Sequence, residues 1–327
     1  MDKKIKFRCA IYIGNYGLNV YSNCPKTFDI LRKDSFIPFI PEYRCLKTKA
    51  KSDYSIIYIE NKLYSARMLD DNKTLEIKGP LKDMVEAATI PFRAHFILEQ
   101  QLEKNSIFTF AQGAGVSKKN KAIFLVGKRG AGKTSITLEL CRKYSYKLIG
   151  NDLVLVGFKK NEGYFYGGAK VFTLRFTTVK HYNTDLQKFF KKEHPNEWTN
   201  KVRLLPKDLG ISIEKKCPKI IKVFYVHLLN DKSAPLYIQK IGGKEASYMG
   251  RLYLYEELSR YIRGTCIPLV YSSQFYIGDY LPSLDRSEYH KNRVKFIDWI
   301  MDQVGFYFVS GSMNAICNFI NRELNRK

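Results

Sequence analysis

Apolar and polar residues alternate in short runs over roughly the first 70 residues, a pattern that is typical of β-strands. The runs RCAIYIGN, GLNVYS and YSIIYIENKLYSARML lie between Phe7 and Leu69 and are bounded by turn-forming residues. In the third run, the Asn61-Lys62 step predicts a hairpin turn between two strands. The basic stretch Lys47-Thr48-Lys49-Ala50-Lys51 divides this region and predicts an exposed loop.

The spacing of apolar residues then changes to that of a helix. The segment LKDMVEAATIPFRAHFILEQQLEKN follows the Gly79-Pro80 break, and Pro91 is predicted to kink this helix or to split it in two. We predict a domain boundary near residue 105. The chain would then contain a smaller, strand-rich α+β domain over residues 1–105 and a second domain over residues 106–327.

The second domain has the pattern of an α/β fold. The apolar run AIFLVG at 122–127 predicts a buried strand, residues 134–144 predict an amphipathic helix, and residues 146–149 predict the next strand. Further strands are predicted at 153–158, 164–166, 171–176, 220–229 and 235–241. Helices are predicted at 251–263, at 289–304 and, with Ser312 as N-cap, at 313–324.

Composition and charge narrow the class of protein. With 45% apolar and 14% aromatic residues, the 327-residue chain is predicted to be globular rather than disordered. Its 55 Lys and Arg against 31 Asp and Glu give a net charge of +24, which would attract polyanions such as nucleic acid, acidic lipid headgroups or an acidic polypeptide. A coding bias toward Lys, Ile, Asn and Tyr would produce the same excess, so both explanations stay open.

The cysteines and the absence of a long apolar run indicate a compartment. Seven Cys lie far apart without a CxxC pair, which predicts buried free thiols in a reducing cytosol. The sequence predicts no signal peptide, and it contains no run of about 18 apolar residues. We therefore expect a soluble, cytoplasmic protein that does not cross a membrane.

The segment from Gly127 to Thr134 reads GKRGAGKT, a complete GxxxxGK[ST] pattern between a predicted strand and a predicted helix. Its glycines allow several backbone N–H groups to point inward, and the helix N-terminus adds positive charge, so that phosphate oxygens are bound. Lys133 is predicted to reach the β- and γ-phosphates and the Thr134 hydroxyl to bind Mg²⁺. A fortuitous glycine-rich turn is the alternative, but the flanking elements argue against it.

An acidic residue follows the next strand. Gly150-Asn151-Asp152 comes directly after residues 146–149, and open α/β sheets bind ligands at the carboxyl ends of their strands. Asp152 would bind Mg²⁺ or a water there, or accept a proton from an attacking hydroxyl. The alternative for Asp152 is a turn or helix cap. Asp231 is a weaker candidate, because Asn230-Asp231 also simply makes a turn.

The segment QGAGVSKKNKAIFLVGKRGAGKTSITLELCRKYSYKLIGNDLVLVGF, over about residues 110–158, resembles the nucleotide-binding core of HPr kinase-like proteins. The resemblance implies a P-loop core related to phosphoenolpyruvate carboxykinase, with ATP and Mg²⁺ as cofactors. More loosely, the region before it resembles the variable N-terminal part of family members in peptide-modifying gene clusters, some of which phosphorylate a serine of a peptide. The strand-rich pattern of residues 1–105, which contain no phosphate-binding loop, predicts that this region recognises the acceptor.

The resemblance carries over residue by residue. It implies nucleotide binding by Gly127, Lys128, Arg129, Gly130, Ala131, Gly132, Lys133, Thr134 and Ser135. Asp152 matches the second acid of the family's pair and would take both metal and base roles, with Thr134 as the other metal ligand. Asn151 stands where the first acid usually is, and Gln112 where many members have a His. In the family, that acid and that His are associated with activating the acceptor hydroxyl.

Three arginines are candidates for stabilising the transferring phosphate. Arg175 closes the predicted strand KVFTLR, and Arg260 and Arg263 are three residues apart on a predicted helix and would share a face. Solvated surface arginines are the alternative for each. Lys128 and Arg129 add positive charge in the loop itself.

Three functions remain open from the sequence. The first is an ATP-dependent kinase, a phosphotransferase that modifies a hydroxyl of Ser or Thr in a peptide or protein, with the basic surface collecting an acidic substrate. The second is a catalytically weakened nucleotide-binding regulatory protein, which Asn151 and Gln112 suggest. The third is an RNA-directed kinase or ATPase, which is supported only by charge and by aromatic residues among lysines. The acceptor, the pathway and the oligomeric state are not determined by the sequence.

Overall fold

The computed structural model describes residues 4–69, 72–86, 88–191, 195–241, 244–264, 270–271, 276–277 and 281–325, with the backbone alone at 244–247, 270–271 and 276–277. The chain forms two compact units. The first contains residues 1–110 and 255–295, and the second contains residues 111–254 and 296–327. The predicted boundary near residue 105 divides the chain once, whereas the chain passes from one unit to the other three times, after residues 110, 254 and 295.

Both units contain strands and helices, so the fold is a mixed α/β fold. The strands are β1 Lys6–Ile13, β2 Tyr16–Ser22, β3 Tyr43–Leu46, β4 Ser55–Glu60, β5 Ser65–Met68, β6 Thr74–Gly79, β7 Ile107–Lys118, β8 Lys121–Val126, β9 Lys147–Lys159, β10 Glu162–Gly168, β11 Phe172–Arg175, β12 Lys201–Leu204, β13 Lys219–Leu228, β14 Tyr237–Lys240, β15 Val270–Tyr271, β16 Tyr276–Ile277 and β17 Phe306–Gly311. The α-helices are α1 Thr27–Lys33, α2 Leu81–Glu86, α3 Thr89–Lys104, α4 Lys133–Lys143, α5 Phe176–Tyr182, α6 Lys244–Ser259, α7 Ser287–Trp299 and α8 Met313–Asn325.

The first unit contains a mixed sheet with the strand order β3-β1-β2-β4-β6-β5. The predicted hairpin at Asn61-Lys62 is wrong, because β6 lies between β4 and β5. Strand β6 pairs in parallel with β4 and antiparallel with β5. The sequence run from 54 to 69 therefore contains two strands that are not neighbours, and β5 forms its hairpin with β6, which the apolar pattern did not reveal.

The helical segment that follows is split in two, as predicted. Ala88, with a left-handed φ of 49°, separates α2 from α3. Pro91 lies in the first turn of α3, where its missing N–H costs no helical hydrogen bond. Helix α3 packs on β1, β2 and β4.

Buried charged groups lie along α3. Glu99 and Glu103 are fully buried, and both carboxylate oxygens of Glu103 accept from Arg293, at 2.6 and 2.7 Å. Glu99 accepts from the Thr109 N–H at 2.7 Å and from the Thr109 hydroxyl at 2.6 Å. Burial raises the pKa of Glu99 to about 7, although both hydrogen bonds from Thr109 and the charge of Arg293 lower it. Ionising the Glu99 carboxyl in the core of this unit therefore costs free energy.

The second unit contains a sheet with the strand order β10-β9-β7-β8-β13-β17-β14. Strands β8, β13 and β17 are parallel neighbours, and β14 pairs antiparallel with β17. Strand β7, which the sequence did not predict, flanks these three parallel strands on one side, and β14 flanks them on the other. Strand β17 was also not predicted.

The predicted strands at 146–149 and 153–158 are a single strand, β9. Asp152 lies within this strand and has a left-handed φ of 69°. Ala169, which follows β10, binds on both sides of it, because its carbonyl accepts from the Asn151 N–H and its own N–H donates to the Leu153 carbonyl. Pairing with β10 begins at Val154, and the register shift in this pair lies between Phe165 and Gly167 of β10.

Helices α4 and α8 pack on one face of this sheet and form its main core. Ile136, Leu140 and Cys141 of α4 are buried, as their spacing predicted. The Ser312 hydroxyl accepts from the Ala315 N–H at 3.4 Å, which confirms the predicted N-cap of α8. Burying each large apolar side chain in this core contributes about 1.5–3 kcal/mol of transfer free energy.

The cysteines that the structure describes form no disulfide, as predicted. Cys9, Cys24, Cys141 and Cys317 are buried, but Cys45 is half-buried and Cys217 is exposed, so burial was predicted wrongly for these two. Cys266 lies outside the described residues. In the described part of the chain, no helix combines the length and the apolar character needed to span a membrane.

We predict that Glu99 makes the stability of the protein depend on pH. Its pKa is raised from 4.5 to about 7, so the neutral carboxyl is favoured on folding and the associated stability is lost as the pH rises through this interval. Between pH 4.5 and 7, the unfolding free energy of the wild type should fall by up to about 3 kcal/mol relative to Glu99→Gln. Urea unfolding at both pH values measures this difference. The matched control is Glu60→Gln at an exposed position, which should keep the wild-type pH dependence.

Candidate phosphate-binding site

The loop between β8 and α4 has the backbone that the sequence motif requires. Gly127, Gly130 and Gly132 have φ values of 148°, 87° and 90°, in the region that favours glycine. Gly132 directly precedes α4, which begins at Lys133. The N-terminus of an 11-residue helix therefore opens into this loop, which is the arrangement that binds phosphate groups.

The loop packs closely against the end of β13. A Cβ at Gly127 would lie 2.9 Å from the Val226 carbonyl oxygen, and one at Gly132 would lie 2.3 Å from the Leu228 Cβ. The Leu228 N–H donates to the Ala131 carbonyl at 2.9 Å. The glycines at these two positions are therefore required for space as well as for backbone conformation.

Lys133 lies inside the loop. Its ammonium donates to the Gly127 carbonyl at 2.7 Å and to the Lys128 carbonyl at 3.0 Å, and the residue is only 5% exposed. Lys128 and Arg129, by contrast, are exposed at the tip of the loop. The loop thus presents one enclosed cation and two accessible ones.

The next residue, Thr134, is held by the amide of Asn151. The Thr134 hydroxyl donates to the Asn151 Oδ1 at 3.3 Å, and the Asn151 Nδ2 donates to the Val171 carbonyl at 3.2 Å. Asn151 is completely buried. The Asn151 side chain thus accepts through Oδ1 and donates through Nδ2. Because the Thr134 hydroxyl donates its proton to Asn151, its lone pairs are directed away from Asn151.

Two glycines bring Asn151 and Asp152 to this place. A Cβ on Gly150 would lie 2.5 Å from the Gly168 Cα, and a Cβ on Gly168 would lie 2.6 Å from the Gly150 Cα. The two backbones can approach this closely only because neither residue has a side chain. The Lys170 ammonium donates to the Ile149 carbonyl beside them.

Asp152 belongs to the same cluster electrostatically. It is half-buried, and burial raises the pKa of its carboxyl, while the positive charges of Lys133 and Arg129 lower it. The structure therefore brings together the predicted residues Lys133, Thr134, Asp152 and Arg129. A carboxylate with a raised pKa near a phosphate-binding loop is chemically suited to accept a proton.

Tyr253 of α6 also belongs to the site, although the sequence did not indicate it. Its hydroxyl accepts from the Gly127 N–H at 2.8 Å, and its ring packs edge-on against Tyr225, with centroids 5.1 Å apart. Gly127 is thus held at its N–H by Tyr253 and at its carbonyl by Lys133. No short-range pattern reveals a contact between residues 126 positions apart.

The other predicted residues lie elsewhere or in supporting positions. Ser135 is buried in the first turn of α4, and the half-buried Gln112 lies on β7 with a φ of 61°. Arg175 ends β11 and precedes α5. The Asp231 carboxylate accepts from the N–H and hydroxyl of Ser233, so this residue makes the turn that was its alternative reading.

Arg260 and Arg263 belong to the first unit, whereas the loop belongs to the second. Helix α6 ends at Ser259, so these arginines lie in the turn after it rather than on the predicted helical face. Arg260 pairs with Glu257 at 3.3 Å and Arg263 with Asp285 at 3.5 Å. Their predicted role in phosphoryl transfer stays a prediction.

The oxygen atoms near the loop fit a magnesium ion. The Thr134 hydroxyl, the Asn151 amide oxygen and the Asp152 carboxylate are hard donors, and Mg²⁺ in nucleotide sites typically takes one or two protein ligands together with phosphate oxygens. The described residues contain no group of three or more His, Cys, Asp and Glu side chains that could hold a metal ion without such a partner.

No family model matches the chain, and no curated protein matches it. Function is therefore inferred from the residues around the loop.

We predict that Gly132→Ala weakens ATP binding much more than Gly130→Ala does. Both glycines have a left-handed φ, so each substitution adds about 1–2 kcal/mol of backbone strain. Only at Gly132 does the new Cβ also collide with Leu228, because a Cβ at Gly130 has no neighbour within 4 Å. Calorimetric titration with ATP measures both affinities, and circular dichroism checks folding. Equal affinities in the two variants would contradict the importance of the packing on β13.

Proposed function

We propose that this protein is an ATP-dependent kinase of the HPr kinase-like P-loop type that phosphorylates a hydroxyl, namely Ser or Thr of a peptide or protein. One observation carries the proposal: the loop lysine Lys133, the hydroxyl of Thr134 and the carboxylate of Asp152 gather at the start of α4. This set contains a phosphate-binding cation, a metal-binding hydroxyl and a base, which are the groups that phosphoryl transfer uses.

The loop would bind the β- and γ-phosphates of ATP through its backbone N–H groups and the N-terminus of α4. Lys133 would exchange its bonds to the Gly127 and Lys128 carbonyls for bonds to phosphate oxygens. Such an exchange leaves the ammonium paired throughout, so a largely buried cation is never without a partner.

Thr134 and Asp152 would hold Mg²⁺, which, when bound, neutralises charge on the phosphate oxygens. Asn151 supports this arrangement from behind, since its Oδ1 accepts from the Thr134 hydroxyl and fixes its direction. The amide is thereby a positioning group for the hydroxyl of Thr134.

Asp152 would act as the base. As the acceptor oxygen forms its bond to the γ-phosphorus, the bond from that phosphorus to the β,γ-bridging oxygen breaks and ADP leaves. The acceptor's hydroxyl proton passes to the Asp152 carboxylate. Burial raises the pKa of this carboxyl and so makes it a stronger base, while the positive charges of Lys133 and Arg129 lower the pKa.

The exposed cations Lys128 and Arg129 at the loop would favour an acceptor with acidic residues near its hydroxyl. The net charge of +24 acts in the same direction over a longer range, although it would attract RNA as well. The predicted roles of Arg175, Arg260 and Arg263 belong to this proposal too, as cations that would stabilise the transferring phosphate.

A nucleotide-binding regulatory protein is the second candidate, and Asn151 favours it. This amide cannot act as a base, and its two hydrogen bonds give it a purely structural use. If Asp152 is not within reach of an acceptor hydroxyl, the site would bind ATP without transferring its phosphate.

Incubation with γ-labelled ATP and a lysate separated into peptide, protein and RNA fractions tests the proposal. We expect label in the peptide or protein fraction for the wild type and none for Lys133→Ala, which loses the loop cation. The matched control Lys121→Ala removes an exposed lysine at the start of β8, outside the loop, and should keep most of the transfer. Label in RNA alone would replace the proposed substrate class, and ATP binding without any transfer would support the regulatory protein.

Asp152→Asn is expected to remove nearly all transfer while leaving ATP affinity within about an order of magnitude of the wild type. Loss of general-base assistance typically costs about 10²–10⁴ in rate, and loss of a metal ligand adds to this. Single-turnover transfer rates at saturating ATP measure the effect. A variant that retains more than about a tenth of the wild-type rate would reject Asp152 as the base.

A further inference from the structure

We call the loop between β8 and α4, residues 127–132, the phosphate loop. Four ring-bearing side chains form a continuous surface beside it. Phe308 lies at its centre, with ring centroids 5.9 Å from Tyr225, 6.0 Å from Tyr237 and 6.5 Å from His227. We call Tyr225, His227, Phe308 and Tyr237 the aromatic ledge. It lies on β13, β17 and β14, three neighbouring strands of the second unit.

The strand register places the ledge near the carboxyl ends of the parallel strands. Tyr225 is opposite Phe308, and His227 and Tyr237 are each opposite Ser310, so the four residues occupy two adjacent rows. Residues that alternate with them, Phe224 and Val226, belong to the core under α4 and α8. The ledge therefore faces away from that core.

The outer part of the ledge is accessible to a ligand. Tyr237 is 54% exposed and His227 is exposed, whereas Phe308 and Tyr225 are half-buried. Burying an aromatic ring removes about 150–250 Å² from water, so two exposed rings on a shared surface offer substantial binding area.

The ledge is joined to the phosphate loop through Tyr253. The hydroxyl of this residue accepts from the Gly127 N–H, and its ring contacts Tyr225, the first ring of the ledge. Tyr225 is also opposite Val126, the residue before Gly127. Strands lie about 4.8 Å apart, so the ledge extends from roughly 5 to 14 Å from β8 across the sheet.

We propose that the aromatic ledge binds the base of the nucleotide whose phosphates bind at the loop. The inference rests on one part of the proposed function, namely that a nucleoside triphosphate binds at Gly127 to Thr134. A base stacks on aromatic rings, and the ribose and triphosphate span the distance from the ledge to the loop. The ring of His227 and the amide of Gln239, which accepts from the Tyr237 hydroxyl at 3.2 Å, provide polar groups for the edges of the base.

Continuity with the loop favours the base of the same nucleotide over a base of single-stranded RNA. The ledge begins one strand away from the loop, and His227 directly precedes Leu228, which contacts Gly132 and donates to Ala131. A phosphate group held at the loop therefore brings its own base to the ledge at no further cost in association entropy.

Calorimetric titrations with ATP and with inorganic tripolyphosphate, which has no base, test the proposal. Tyr237→Ala and His227→Ala should each weaken ATP binding about tenfold, since stacking contributes about 1–3 kcal/mol per base, and should change tripolyphosphate affinity by less than about twofold. Tyr237→Phe keeps the ring and should bind ATP nearly as the wild type does. The matched control is Tyr248→Ala on α6, a tyrosine that is 64% exposed outside the ledge.

The inference is overturned if both alanine variants bind ATP like the wild type, or if tripolyphosphate binding falls as much as ATP binding. Loss of affinity for a single-stranded oligonucleotide with unchanged ATP affinity would overturn it in favour of RNA. If the wild type binds no ATP, or if Lys133→Ala leaves ATP affinity unchanged, the proposed function itself fails, which distinguishes that outcome from failure at the ledge alone.

Discussion

The packing of the phosphate loop on the end of β13 is the constraint on which the rest of the site depends. Gly127 and Gly132 touch Val226 and Leu228 so closely that neither position has room for a side chain. This contact fixes where α4 begins and therefore where Lys133 and Thr134 are placed. Strand β13 binds the loop at the Ala131 carbonyl, so this contact uses none of the loop's N–H groups. Fixing the loop backbone in this way is the preorganisation that phosphate binding needs.

A second close approach, between Gly150 and Gly168, completes the site from β9 and β10. It allows Ala169 to bind the backbone of Asn151 and Leu153 on either side of Asp152, and it places the Asn151 amide against Thr134. The left-handed φ of Asp152 is strained for a residue with a side chain, and such strain is retained where neighbouring contacts enforce it. Three tight contacts, of Gly127 with Val226, of Gly132 with Leu228 and of Gly150 with Gly168, thus determine the arrangement, and the polar side chains follow from them.

Local signals in the sequence predicted the elements that depend on neighbours along the chain. The strand before Gly127, the helix after Gly132, the division near Pro91 and the cap at Ser312 each have a signal within a few residues along the chain. Long-range pairing was not predictable in the same way. Strand β6 separates β4 from β5 through backbone hydrogen bonds that leave no mark on the alternation of apolar residues. The contact of Tyr253 with Gly127 could not be predicted either, because it joins residues 126 positions apart in the sequence.

The surroundings of residue 151 suit the amide of Asn151 better than they would suit a carboxylate. Its Oδ1 accepts from Thr134 and its Nδ2 donates to the buried carbonyl of Val171. An ionised aspartate there could accept from Thr134 but could not donate to Val171, and an unpaired buried carbonyl costs about 1–3 kcal/mol, with further cost for a buried charge. The structure is therefore compatible with an amide in a way that it is not with a carboxylate. Any base chemistry at this strand end falls to Asp152, whose carboxyl is half-buried beside Lys133 and Arg129 and is not needed to hold the backbone.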